Sequence, residues 1–427
     1  MKGRALILEA FAAGFYVNIT RSLAPIFMAA MGLTIKEILL INLYSYFFAF
    51  LFSAFLYKFR KFLLINPKKY LLAFHFAERV FWCSLPIAYS FDLLFLAYPL
   101  AVISSIPTSA FITLEIHAIE DREEKKKVLY YRSALSALSN MLGAMTTVFL
   151  LFVLEGAEKY LVLYSLAFLS GIFSSILVLT FEPKQVKIFE PSEEVRVRYA
   201  NVLLFVLLLN SSSAIIGATW APYVMKRLNA PDYLAASLGT MQTLASIISP
   251  IFWAKRSYRD YRLAIATLSV FPILIFSLNV PELHVALAFS YAFLLSAANI
   301  LSSFLFAEIS EARDRLAFLS TTVATLSQLL GMGVAHSADK VEEIFIFSSL
   351  LLIAALLLTF FTISETAIDP ERARIYSRAV YTTTIQGYSF SIYVTKEVSL
   401  LALRLIALVF IIAVLTFLYR FAYYLAG

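Results

Sequence analysis

A chain of 427 residues that is 61% hydrophobic and only 15% charged, with a mean hydropathy of +0.82, cannot hide its apolar side chains inside a soluble fold. The apolar residues come in runs of about twenty, the length that crosses roughly 30 Å of hydrocarbon, so the class is an all-α polytopic membrane protein rather than a β-barrel. The net charge of +7 resides in short loops, which excludes a nucleic-acid surface, and the single cysteine, Cys83, excludes an internal disulfide or a cysteine metal cluster.

The first span is predicted over 5–31. Its opening, MKGRALILEAFAAGFYV, is signal-like in shape, but Glu9 interrupts the apolar run and the stretch continues to Met31, so it is read as uncleaved. Glu9 fits either a gating residue or a boundary carboxylate. Arg21 lies about 22 Å along this helix from its start, at ~1.5 Å per residue. An ionisable group there costs at least ~2.5–3.5 kcal/mol, which makes it a functional pointer. Gly14, Asn18, Arg21 and Pro25 share one helical stripe.

Further spans are predicted at 36–57, 69–90, 93–114, 129–154 and 159–181. The third carries Glu78 and Arg79 with His75 a turn away, either a proton-coupling group or a structural ion pair. The fourth carries Ser104, Ser105, Thr108 and Ser109 around Pro107. A charged linker, 182–198, follows. Six more spans are predicted at 199–226, 232–254, 261–280, 283–307, 315–336 and 342–363. Trp220 stands beside Pro222 in the seventh, and Ser296, Asn299 and Ser303 recur at helical spacing in the tenth. The polar segment 364–397 then alternates on both sides of Gln386-Gly387, which predicts a cytoplasmic β-hairpin, and a thirteenth span at 398–420 closes the chain.

Lys and Arg orient the bundle. Alternate loops hold Lys58, Arg60, Lys61, Lys68 and Lys69, then Arg122, Lys125, Lys126, Lys127 and Arg132. The series continues with Lys184, Lys187, Arg196 and Arg198, then Lys255, Arg256, Arg259 and Arg262, then Arg313 and Arg315. The opposite loops hold only Lys36, Lys159, Lys226, Arg227 and Lys340. The N terminus is therefore expected in the cytoplasm and the C terminus outside, with the chain in the cell membrane.

Two short patterns repeat. SLAPIFM at Ser22–Met28 recurs as TWAPYVM at Thr219–Met225, and the same offset carries Lys58 onto Lys255. Leu138-Ser-Asn-Met-Leu-Gly143 recurs as Leu326-Ser-Gln-Leu-Leu-Gly331. The matches fall at equivalent spans of two six-span units, 1–181 and 199–363. Pro25 and Pro222 each remove an i→i−4 hydrogen bond and so mark paired helix bends. On these repeats the sequence resembles the major facilitator superfamily over roughly residues 1–365. It departs from that family where SAFLYKFRKF keeps the basic residues, but neither the glycine nor the aspartate, of the motif between the second and third spans.

The resemblance implies a central cavity lined mainly by the first, fourth, seventh and tenth spans, opened alternately to each side. Substrate contacts are then expected from Asn18, Arg21, Ser104, Thr108, Trp220, Ser296 and Asn299, and coupling or gating from Glu9, Glu78 and Arg79. The repeat places Ser211, Ile215, Ala218 and Pro222 opposite Gly14, Asn18, Arg21 and Pro25. The charge at Arg21 is thus outside the repeated scaffold, and it can either clamp an anionic or polar substrate, pair with a carboxylate or snorkel outward. The function expected is secondary active transport of a small solute, with a proton or Na+ as coupling ion, no metal and no cofactor. The alternative is a non-transporting scaffold that retains the fold and docks a protein partner through 364–397. No nucleophile–base, metal or phosphate-cradling constellation points to an enzyme.

Overall fold

The structure, a computed structural model, describes residues 2–362 apart from 64, 89, 118, 120–121, 181–196, 254–255 and 309–312. The predicted hairpin and thirteenth span lie outside the described residues, and the linker enters them only at Val197, where a helix has already begun.

Every regular element among the described residues is helical. The first rod is α1 (Lys2–Val17), a π-helical turn at Asn18–Ser22 and α2 (Leu23–Ala30). Single rods follow as α3 (Ile35–Leu63), α4 (Pro67–Cys83), α5 (Phe91–His117), α6 (Arg122–Val153) and α7 (Glu158–Leu179). Beyond the linker come α8 (Val197–Arg227) and α9 (Asp232–Trp253). The next rod is split into α10 (Tyr258–Leu268) and α11 (Phe271–Ser277) at Pro272, which has no N–H to return to Leu268. α12 (Pro281–Glu308), α13 (Arg313–Ser337) and α14 (Val341–Thr362) complete the described chain.

Ten of the described spans are long and apolar enough to cross a membrane. The first rod and α4 are not among them. The π turn divides the first rod into helices of 16 and 8 residues, and α4 has 17; both rods also hold buried ionisable groups, described below.

Packing follows a repeating rule. α1 lies against α6 and α7, and α8 lies against α13 and α14. α3 and α4 each pack on α5, and correspondingly α9 and α10 each pack on α12. α4 meets α7 as α10 and α11 meet α14. Each pairing thus recurs six rods later. One apolar core is drawn mostly from residues before Leu179 and a second mostly from residues after Val197. α3 against α13 and α6 against α9 join them.

The second sequence repeat has a direct physical reading. A Cβ built on Gly143 would stand 3.1 Å from the Phe15 carbonyl oxygen, and one on Gly331 would stand 2.5 Å from the Ser211 carbonyl oxygen. Ser139 donates to the Phe11 carbonyl, and Ser211 donates to the Ser327 carbonyl at 2.8 Å. The L-S-x-x-L-G face is therefore where backbones touch, the role small residues play where lipid removes the hydrophobic drive between helices. Large apolar side chains such as Leu96, Phe149, Phe152 and Leu169 point outward, as a hydrocarbon solvent requires.

Candidate functional site

Pro25 cannot donate to the carbonyl of Arg21 four residues earlier, and just there the backbone widens into the π turn at Asn18–Ser22. The wider turn shifts the stripe read from the sequence. Asn18, Arg21 and Pro25 line a cavity of about 280 Å³, whereas Gly14 faces Ser136 on α6. α8 runs through Pro222 as one helix, so the paired prolines leave different marks on their rods.

The rest of the lining includes Thr147 on α6, Gly217 and Trp220 on α8, and Gly239 and Gln242 on α9. Asn18 is only 9% exposed, yet neither its amide nor that of Gln242 has a side-chain partner among the described residues. Trp220 is fixed from behind. Its indole N–H donates to His284 Nδ1 at 3.0 Å, so the imidazole carries its proton on Nε2 and donates it to the Leu278 carbonyl at 3.0 Å.

This pocket draws on other elements than the expected lining. Elements five and eight of the rod order, α6 and α9, take the places expected of the fourth and tenth spans. Ser104 and Thr108 are buried in α5 and donate to the carbonyls of Ala101 and Ser104; Ser296 and Asn299, on α12, are likewise absent from the lining.

Arg21 is 40% exposed in its side chain, and its Nη2 lies 2.6 Å from Glu78 Oε1. Of the readings open in the sequence, the structure shows the paired one. Arg79 Nη1 lies 2.7 Å from the other oxygen of the same carboxylate. From there the polar chain continues through Ser174, which is 3.4 Å from Arg79 Nη2, from His75 Nε2 and from Glu9 Oε1. His75 Nδ1 is 2.8 Å from the Ser175 hydroxyl. Glu9 is buried rather than at a boundary, and Arg132 Nη1 lies 2.5 Å from its Oε2. Arg132 also donates to the Leu6 carbonyl. Gly171 makes the route possible, because a Cβ there would stand 2.6 Å from Arg79 Cγ.

Arg132 opens onto a second pocket of about 380 Å³, lined also by Ser133, Ser136, Asn140, Thr243 and Ser246. Both pockets lie between α6 and α9, one toward each end. On α6 an apolar seal stands between them: buried Met141 lies between Asn140 of one pocket and Ala144 of the other and clusters with Ile247, Ala137 and Leu244, whereas on α9 Gln242 of the first pocket directly precedes Thr243 of the second and Ile247 itself lines the second. The side chains from Arg132 to Arg21 therefore link the two pockets around the seal rather than through it.

Sequence reasoning missed Arg132, read as a loop charge, and Gln242, a polar residue in mid-span that carried a signal. It also missed His284, whose role needs the fold.

No family model matches the chain, and no curated protein matches it in sequence. Solved structures do match it in shape. A point mutant of the nucleoside transporter NupG aligns with a TM-score of 0.62 at 11% identity, covering 86% of this chain and 100% of that one. NupG itself gives 0.61 at 13%, covering 86% and 99%.

The chain shares the fold of these solved structures. A bacterial homologue of the iron transporter ferroportin, outward-facing with soaked iron, agrees at a TM-score of 0.57 and 13% identity, covering 85% and 99%. Within this fold, the pocket far from Arg132 offers a half-engaged guanidinium, two unpartnered amides and a fixed indole. Among the described residues its lining holds no carboxylate, thiolate or imidazole, and its amides offer both N–H donors and acceptor oxygens beside the guanidinium.

Proposed function

We propose that the protein is a secondary active transporter that moves a small solute across the cell membrane by alternating access of two six-rod halves, residues 1–181 and 199–363. The single observation that carries this reading is the pair of polar pockets set in succession along α6 and α9, with the Met141–Ile247 contact at their junction. A solute site reached from one side at a time needs that arrangement. The packing rule that recurs six rods later supports the two-half division, and the fold shared with nucleoside and iron transporters supports carriage in general. A volume of about 280 Å³, just below the ~300–1,000 Å³ usual for drug-sized ligands, suits a small solute.

In this reading Asn18, Arg21 and Trp220 contact the solute, and Glu9, Glu78 and Arg79 belong to the coupling network, with a proton or Na+ as the driving ion. The basic loops place the N terminus in the cytoplasm.

The test needs no prior substrate. Proteoliposomes holding the protein are incubated with a cell metabolite extract, and their contents are inventoried by mass spectrometry. A second sample carries Cys83→Ser, Met141→Cys and Ile247→Cys, cross-linked across the seal. Accumulation of a solute that cross-linking abolishes supports the carrier. An inventory identical to that of empty vesicles overturns it and favours the scaffold alternative, in which residues 364–397 hold a stoichiometric protein partner.

A further inference from the structure

The ionisable groups joining the two pockets are not balanced. Glu9 is paired with Arg132 alone among the described guanidiniums, one charge against one. Glu78 is shared by two, Arg21 on Oε1 and Arg79 on Oε2. His75 is either neutral or positive and so cannot lower the total. The other carboxylate near the far end of the cavity, Asp232, is held by Lys159 Nζ at 2.6 Å and by the Tyr160 hydroxyl at 2.7 Å. Among the described residues, at least one positive charge is therefore left over at the Glu78 end.

Its location follows from exposure. Arg79 is shut in: its side chain is 2% exposed, Gly171 and Tyr16 close over its stem, and its guanidinium lies 4.7 Å from the Tyr16 ring centroid. Arg21, 40% exposed, is the member of the pair that reaches the cavity. Beside it stand the unpartnered amides of Asn18 and Gln242. An uncompensated charge inside a membrane-spanning bundle is unfavourable, and an opposite charge from a ligand removes that penalty.

We propose that the far cavity takes a small monoanion, a carboxylate-bearing solute whose oxygens meet Arg21 and the amides of Asn18 and Gln242. This rests on the carrier reading for its meaning as a substrate class. One negative charge completes the set of two carboxylates and three guanidiniums; a cation would deepen the imbalance, and a neutral solute would leave it standing.

The open space beside two glycines allows a test that requires neither a known solute nor transport. A Cβ added at Gly217 or Gly239 meets nothing within 4 Å, and both residues line the cavity. In a Cys83→Ser background, Gly217→Cys and Gly239→Cys are each reacted in lipid nanodiscs with two thiol reagents of similar size. One is the anionic sulfonatoethyl methanethiosulfonate and the other the cationic trimethylammonium analogue. Rates are expressed relative to a small free thiol in the same buffer. The expected result is a preference for the anionic reagent of about tenfold or more, as a cleft of one sign produces.

Arg21→Gln abolishes that preference, Arg21→Lys keeps it, and Glu78→Gln, which leaves the guanidiniums uncompensated, increases it. Should Arg21→Gln fail to fold, the increase expected of Glu78→Gln still decides: a preference that Glu78→Gln leaves unchanged or lowers would overturn the proposal. Equal rates, a preference for the cationic reagent, or thiols that neither reagent reaches would overturn the proposal. A working carrier with equal rates would sink the anion class and leave transport intact. An anionic preference in a protein that moves nothing would do the reverse.

Discussion

Arg132 and Glu9 face each other at 2.5 Å between α6 and α1, 123 residues apart in sequence. Removing one partner strands the other in a low-dielectric interior. Arg132→Met is expected to destabilise the protein by about 3–5 kcal/mol, read as a lowered thermal unfolding midpoint in detergent. Arg132→Met combined with Glu9→Leu should recover most of that loss. A double variant as unstable as the single one would show that packing, not charge, holds this contact.

Gly171 and Arg79 should be coupled in the same way. Gly171→Ala drives a methyl to 2.6 Å from Arg79 Cγ and 3.0 Å from Tyr16 Cδ2, an overpacking change of about 1–3 kcal/mol. Arg79→Ala frees the space and leaves Glu78 paired with Arg21. A double-mutant cycle is expected to show the combined loss smaller than the sum of the single losses; strict additivity would contradict the contact.

The repeated small-residue face yields a ranking. Gly331→Ala presses on the Ser211 carbonyl at 2.5 Å, whereas Gly143→Ala meets the Phe15 carbonyl at 3.1 Å. Both carbonyls are backbone and cannot swing aside. Gly331→Ala is expected to lower stability more than Gly143→Ala, measured by unfolding in the same detergent. The reverse order would mean that α13 can slide on α8.

Asp232 ties α9 to α7 through Lys159 and Tyr160, one turn beyond the cavity residues Ala235 and Ala236. Both partners still reach water, at 16% and 11% side-chain exposure for Lys159 and Asp232, so the tie is partly screened and contributes about 1 kcal/mol. Asp232→Ala is expected to raise the labelling rate of Gly239→Cys about fivefold, in line with that energy. An unchanged rate would show that this end of the bundle is closed by something else.

The bundle was legible because its signals are local. Runs of apolar residues set the spans, and Pro25, Pro222 and the L-S-x-x-L-G repeat lie within single turns. The alternation of Lys and Arg between loops follows from short segments too. The charged network was not legible as a network. Arg21 and Glu78 lie 57 residues apart, and no spacing rule on one helix reports which groups two rods bring together.

Arg132 was misplaced because it stands among loop charges in the sequence, while α6 extends back to Arg122 and draws it into the bundle. The cavity lining was displaced for a third reason. Rotation at the π turn, invisible in a helical stripe of constant period, turned Gly14 to α6 and left Asn18 and Arg21 on the open side.

That same π turn gives the first rod slack that its counterpart lacks. α8 is continuous from Val197 to Arg227 and, in the proposed alternating access, would swing as one lever. The first rod holds one extra residue of register in its turn at Asn18–Ser22, and releasing it in that motion would let the end holding Glu9 and the end beyond Pro25 shift out of step.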